Sequence, residues 1–232
     1  MTHVSDGFSI GGKAGTGTGP SVKARLATLN FVPPTLDRDG ICAAQTRTGA
    51  GNLTLNGALV SASTGRAYID AGTDSFGRCL TAYSSGNLSS LTFTIYGWDR
   101  AGKRVVSQSA GPNNSTVTFP KAFFVVERVK VSGTIGTAVE IGTSDRFGLP
   151  MVVRQAAEIA HVGWSTTLAR DTGTLVVGAT TSPATATSLD PRGTYVPSSA
   201  SDGTKRLCIV IVPLMTSKAT QYGVKQYGEG IP

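Results

Sequence analysis

Between Leu88 and Val131 apolar and polar residues alternate in short runs separated by turn residues, a period of two that suits strands and not a helix. In LTFTIYGW, residues 91–98, Leu91, Phe93 and Ile95 fall on one face and Thr92, Thr94 and Tyr96 on the other, as on a half-buried strand. Asp99-Arg100-Ala101-Gly102 then turns the chain, Lys103 to Ser109 returns antiparallel, and Gly111-Pro112-Asn113-Asn114 turns it again. Ala122 to Val131 carries the sheet on. The stretch is expected to be a meander.

The remaining segments extend this reading to the whole body. Asn56-Gly57 has the residues of a two-residue type I′ hairpin, which needs positive φ at both central positions. Arg66–Ala71, Arg78–Tyr83, Thr137–Gly142, Asp145–Pro150 and Thr174–Ala179 read as further strands, and Arg206–Val212 is so apolar that a central, doubly buried strand is expected. Met151 to Val162 suits one short helix or two strands, and strands are preferred. With 29 glycines and only 15% charged residues in 232, the composition agrees with many tight turns and few helices. The predicted fold is all-β: an antiparallel β-sandwich or barrel-like body, jelly-roll or Ig-like, over residues 39–216, as one domain or two packed subdomains.

Both ends read differently. Residues 1–38 are expected to form an extended N-terminal arm, because residues 11–20 are too glycine-rich to pack and Pro33-Pro34 forces extended backbone. Within the arm, Val22 to Val32 could pair as a strand against a neighbouring subunit, or the arm could order only on contact. Gly15, Gly17 and Gly19 follow no apolar strand, so a linker is favoured over a phosphate loop. Residues 217–232 read as a C-terminal tail, and 180–201, rich in Ser, Thr and Pro, as a long contact loop.

Chemistry is sparse. The formal charge is +7, yet basic residues are scattered, with only Lys103-Arg104 and Lys205-Arg206 adjacent, so specific nucleic-acid binding is not expected and attraction to an acidic protein surface fits. Cys42, Cys79 and Cys208 form no metal or CxxC spacing and read as buried structural thiols. The two histidines, His3 and His161, have no nucleophile motif around them, and only four glutamates are present, so no catalytic residue, cofactor or metal site is assigned. Asp37, Asp39, Asp70, Asp74, Asp99 and Asp190 adjoin glycines or turns, where such side chains cap backbone. No leader-like segment opens the chain and no apolar run approaches the ~20 residues of a membrane helix, so synthesis in a cytoplasm without membrane association is expected. The N-x-[ST] matches at Asn52, Asn87, Asn113 and Asn114 then carry no meaning.

Several phrases resemble a known group as a set: DGICAAQ at 39–45, GNLTLNGALV at 51–60, LTFTIYGWD at 91–99, GTSDRFGLP at 142–150, DPRGTY at 190–195 and ASDGTKRL at 200–207. They resemble virion structural proteins of tailed bacteriophages, in particular capsid cement or decoration proteins, over about residues 39–212. The resemblance implies a non-enzymatic β-rich body that lies on the capsid surface of the virion, binds the major capsid protein across capsomer boundaries, and contacts neighbouring copies of itself. It carries no active site. A neck, adaptor or tail-tube subunit is the alternative within that class, and a receptor- or glycan-binding module the alternative outside it. Expected contact residues are the apolar and aromatic ones of the arms and the sheet face: Phe31, Pro33, Pro34, Tyr96, Trp98, Tyr195, Tyr222 and Tyr227.

Overall fold

The computed structural model describes residues 4–9, 23–180 and 184–212, and the side chains from residue 27 onward within them. Sixteen strands and one turn of 3₁₀ helix, Ala156–Glu158, make up the described elements. Every strand pairing is antiparallel. The all-β reading of the sequence holds.

One sheet takes its strands in the order β10 (Asn113–Phe123), β7 (Arg78–Asn87), β12 (Ile135–Gly148), β15 (Gly193–Val196), β14 (Thr174–Val177), with β3 (Cys42–Arg47) also on β12. A second runs β5 (Val60–Ser61), β6 (Arg66–Tyr68), β11 (Val125–Val131), β8 (Thr92–Trp98), β9 (Arg104–Ala110), with β4 (Gly51–Asn52) on β11. Their inner faces share one core, in which Leu80, Phe119, Phe123, Val139 and Ile141 of the first meet Phe93, Ile95, Val105, Val126 and Val129 of the second. That is a sandwich. A third sheet, β1 (Val4–Ser9), β2 (Lys23–Phe31), β16 (Arg206–Ile211), β13 (Ile159–Ser165), has its own core with Phe147, Leu149, Met151 and Tyr195. The 14-residue β12 feeds both cores, Val139 and Ile141 into one and Phe147 into the other.

The expected meander is only half right. β8 lies between β9 and β11, and the 99–102 turn closes as predicted: Gly102 N–H donates to the Asp99 carbonyl, the Asp99 carboxylate accepts from Lys103 N–H, and Gly102 takes φ 75°. The segment after Ala110, however, leaves this sheet. Asn113–Phe123, whose first two residues read as part of a turn, is a strand on β7 in the opposite sheet, and the chain re-enters the β8–β9 sheet only at Val125. The run 122–131 thus belongs to two sheets, joined at Phe124, whose N–H donates to the Trp98 carbonyl.

Other expectations need correction. Asn56-Gly57 is no type I′ turn, since neither residue has positive φ; Asn56 Oδ1 accepts from Ala43 N–H, and Gly57 lies flat on Gly40. A Cβ on Gly57 would stand 2.2 Å from the Gly40 carbonyl carbon. We therefore expect Gly57→Ala to destabilise the fold by about 2 kcal/mol, the usual scale of overpacking, in chemical denaturation. Met151–Val153 is not a strand: Val153 is held by single bonds, donating to the Arg192 carbonyl and accepting from Gly178 N–H, before the 3₁₀ turn leads into β13. Arg206–Ile211 is central in its sheet, but its burial alternates, so it is covered on one face only.

The largest change concerns residues 23–31. Instead of meeting a neighbouring subunit, they pair with β16 of the same chain, from Ala27 opposite Ile211 to Phe31 opposite Leu207. The apolar β16 requires a partner on each side, and Ala27, Leu29 and Phe31 add buried surface to the second core.

Candidate functional site: a basic aromatic sheet face

The outward face of the second sheet gathers the chemistry that the sequence scatters. Along β8, Phe93, Ile95 and Gly97 are buried while Thr92, Thr94, Tyr96 and Trp98 stay half-exposed, so the pleat puts both large aromatics outside. Register then sets their neighbours: Trp98 is opposite Arg104 on β9, Tyr96 is opposite Arg128 on β11, and Thr94 is flanked by Gln108 and Lys130. Arg66 joins from β6, next to the buried Ala67 that pairs with Val126.

The guanidinium of Arg128 lies 4.1 Å from the Tyr96 ring centroid; those of Arg66 and Arg104 lie 4.7 and 5.8 Å from that of Trp98. All three arginines and Lys130 are exposed. Glu127 lies beside them, 3.9 Å from Arg104. The bulge in β11 between Val126 and Arg128 turns Arg128 out over Tyr96. A guanidinium stacked on a ring keeps its N–H edge for a planar acceptor and loses some of its rotamer freedom beforehand. The face is thus a prearranged set of donors for carboxylates or phosphates.

Of the other expected contact residues that the structure describes, none joins this face. Phe31 is 6% exposed, edge-on to Phe147 at 5.7 Å, and Tyr195 is 3% exposed with its hydroxyl donating to Asp171 at 2.8 Å. Burial pushes that hydroxyl's pKa up. Both are core residues of this chain, because each fills space next to Phe147 that water would otherwise enter. Pro33 is buried; Pro34 is exposed and its carbonyl accepts from Arg78. Tyr222 and Tyr227 lie outside the described residues, as do His3, the glycine-rich segment 11–20 and the tail 217–232.

Sequence reasoning missed the buried cations, Arg78 and Lys121 among them. Arg78, 1% exposed, donates through Nε to Asp70 at 2.7 Å and through an amino group to the Pro34 carbonyl, with Asp145 3.5 Å away. Asp70 therefore anchors a buried cation instead of capping its turn, whereas Asp37, Asp99 and Asp190 do accept from local backbone N–H groups. Lys121 is fully buried, and its ammonium donates to the Val106 and Thr185 carbonyls, tying the 184–190 loop to β9. A charged residue amid apolar strand residues, as in Arg78-Cys79-Leu80, was the available signal.

Burial lowers the Lys121 pKa to about 8, against an opposing pull from Asp190. Below pH 8 the folded chain must hold that charge away from water. Between pH 8 and about 10.5 the native lysine has lost a proton that the unfolded chain still binds, so stability rises with pH. We expect the wild-type melting temperature to climb relative to Lys121→Met across that window; parallel profiles would refute the assignment.

The three cysteines form no disulfide; Cys42 and Cys79 are buried, which pushes the Cys42 thiol up to about 12, and Cys208 is half-buried. His161 is exposed on β13. Among the described residues no three His, Cys, Asp or Glu side chains converge to hold a metal, and no helix is long and apolar enough to cross a membrane. Comparison with protein-family models, with curated proteins and with solved structures finds no match to this chain.

Proposed function

We propose that this chain is a non-catalytic structural protein of a bacteriophage virion, a cement or decoration protein that binds the major capsid protein at the shell surface and braces capsomer boundaries. The observation that carries the docking part of this reading is the arginine-stacked face around Tyr96 and Trp98, which suits a carboxylate-rich protein surface. The virion setting rests on the sequence phrases that resemble phage structural proteins. Single-stranded nucleic acid is disfavoured, because base stacking needs open ring faces and here guanidinium groups lie against both rings. A sugar platform meets the same objection.

The test is stoichiometry. The full chain mixed with purified shells should co-sediment to a saturating ratio that is one, or a simple fraction of one, per capsid subunit. Saturation at a few copies per hundred subunits would move the protein to the neck or tail. No association would overturn the proposal. Removing residues 1–38 is a poor probe of the arm, since it also removes the strand on β16; deleting 217–232 leaves every described strand in place.

A further inference from the structure

We infer that the free edge of β14 joins two copies of this chain, Thr174–Val177 of one pairing antiparallel with Thr174–Val177 of the other about a two-fold axis at Val176.

The register leaves β14 bonded on one side only. Gly193 and Tyr195 of β15 turn their peptide groups toward β12, where the Gly193 carbonyl accepts from Leu149 N–H and Tyr195 lies opposite Phe147. Thr194 and Val196 therefore bond to Val176 and Thr174, their partners on β14. The peptide groups of Leu175 and Val177 point the other way, and among the described residues nothing bonds to them.

The edges at β9, β10 and β13 are protected. On β9 the Val106 carbonyl accepts from Lys121, and Gln108 N–H donates to the Ala186 carbonyl. β10 carries two irregularities in register, and residues 169–171 return along β13, where Asp171 N–H donates to the Val162 carbonyl. Bulges, covering segments, Lys and Pro are the usual defences of a sheet edge, and β14 has none of them. Its surroundings are apolar as well. Val177 and Leu189 are 40% and 42% exposed, two of the three large apolar side chains left in solvent among the described residues. They share a corner of the fold, since Ala179 N–H donates to the Asp190 carbonyl.

Symmetry and charge select a second copy as the occupant. The outward groups at 175 and 177 lie evenly about Val176. A two-fold axis there sets Leu175 of each copy opposite Val177 of the other and gives every free N–H a free carbonyl. Strand alternation puts Leu175 and Val177 on the same face, so both cross-strand pairs are apolar. Residues 172–180, centred on Val176, contain no charged side chain in a chain of net +7, so the edge meets its own copy without setting like charges opposite one another. For a shell-bound protein this is a lateral link between neighbouring copies, favoured by their high local concentration.

The test is self-association of the full chain without shells, which makes its outcome independent of the docking reading. Sedimentation equilibrium should show monomer and dimer with a dissociation constant on the order of 100 µM, the range of a small interface. Val177→Lys, which sets an ammonium on the edge, should weaken the dimer at least tenfold with an unchanged melting temperature. In the paired strands Val176 faces Val176 of the second copy at the Cα separation of about 4.5 Å of a non-hydrogen-bonded pair, which a disulfide spans. Val176→Cys in a Cys208→Ser background should therefore give a covalent dimer with oxidised glutathione, and Val177→Cys should not. A chain that stays monomeric, a dimer indifferent to Val177→Lys, or open-ended association would overturn the proposal. A monomeric wild type whose shell binding is lost in Val177→Lys would also overturn it, and would assign the edge to a strand of the capsid protein.

Discussion

Arg78→Ala is expected to lower the free energy of unfolding by about 3–5 kcal/mol, the usual cost of removing one partner from a buried ion pair. Against a total of about 5–15 kcal/mol for a typical domain, that would leave the variant largely unfolded at modest temperature. The size of the effect follows from what stays behind: an Asp70 carboxylate 3% exposed, a Pro34 carbonyl without its donor, and the Phe147 ring without the guanidinium 4.8 Å from its centroid. Four segments meet at this side chain, the 32–40 connection, the Asp70 turn, β12 through Asp145, and the 197–205 connection through Ser201. Urea denaturation should therefore show a lower midpoint. The paired change Arg78→Met with Asp70→Leu should recover a good part of the loss, since most of the penalty is the stranded charge. If Arg78→Ala alone costs under ~1 kcal/mol, the scale of an exposed pair, the network is not a structural clamp.

What could be read from the sequence was what local chemistry decides. The period of two placed Tyr96 and Trp98 on the face opposite Phe93 and Ile95, and the 99–102 turn was legible because Asp and Gly satisfy its backbone demands by themselves. Long-range pairing was not legible. Asn113–Phe123 begins with four exposed polar residues, so its membership of the other sheet is set by register with β7 alone. Asn56-Gly57 failed for a related reason: glycine there answers to the approach of Gly40 from outside the local stretch, a demand invisible to a turn rule. Residues 23–31 read as part of an arm because the flanking glycines and prolines dominate the local signal, while the strand that claims them, β16, lies about 180 residues further on. Of the basic sheet face, the two aromatics were named in advance, but Arg66, Arg104 and Arg128 come from three different strands and only the fold brings them over the rings. Basic residues that look scattered along the chain become a patch in the sheet.

That patch carries the second large expected effect. Replacing Arg66, Arg104 and Arg128 together by glutamate should weaken binding to an acidic partner surface by over a hundredfold, about 3 kcal/mol, because three attractive contacts become like-charge repulsions. Folding should survive, since all three side chains are exposed and the lost ring contacts are each worth about 0.5–1 kcal/mol. Replacement by lysine separates charge from geometry. Lysine keeps the long-range attraction, so the association rate and its salt dependence should change little, but an ammonium cannot lie flat on a ring and present two parallel donors, so dissociation should quicken. The glutamate variant would also remove any phosphate affinity, and for that reason the titration needs a nucleic-acid arm beside the shells. Shell binding that falls with both variants, with weak nucleic-acid binding throughout, is the outcome the stacked face requires. Tight nucleic-acid binding that dwarfs shell binding would assign the same donors to phosphates, and unaltered shell binding by the glutamate variant would take the face out of the docking mechanism altogether.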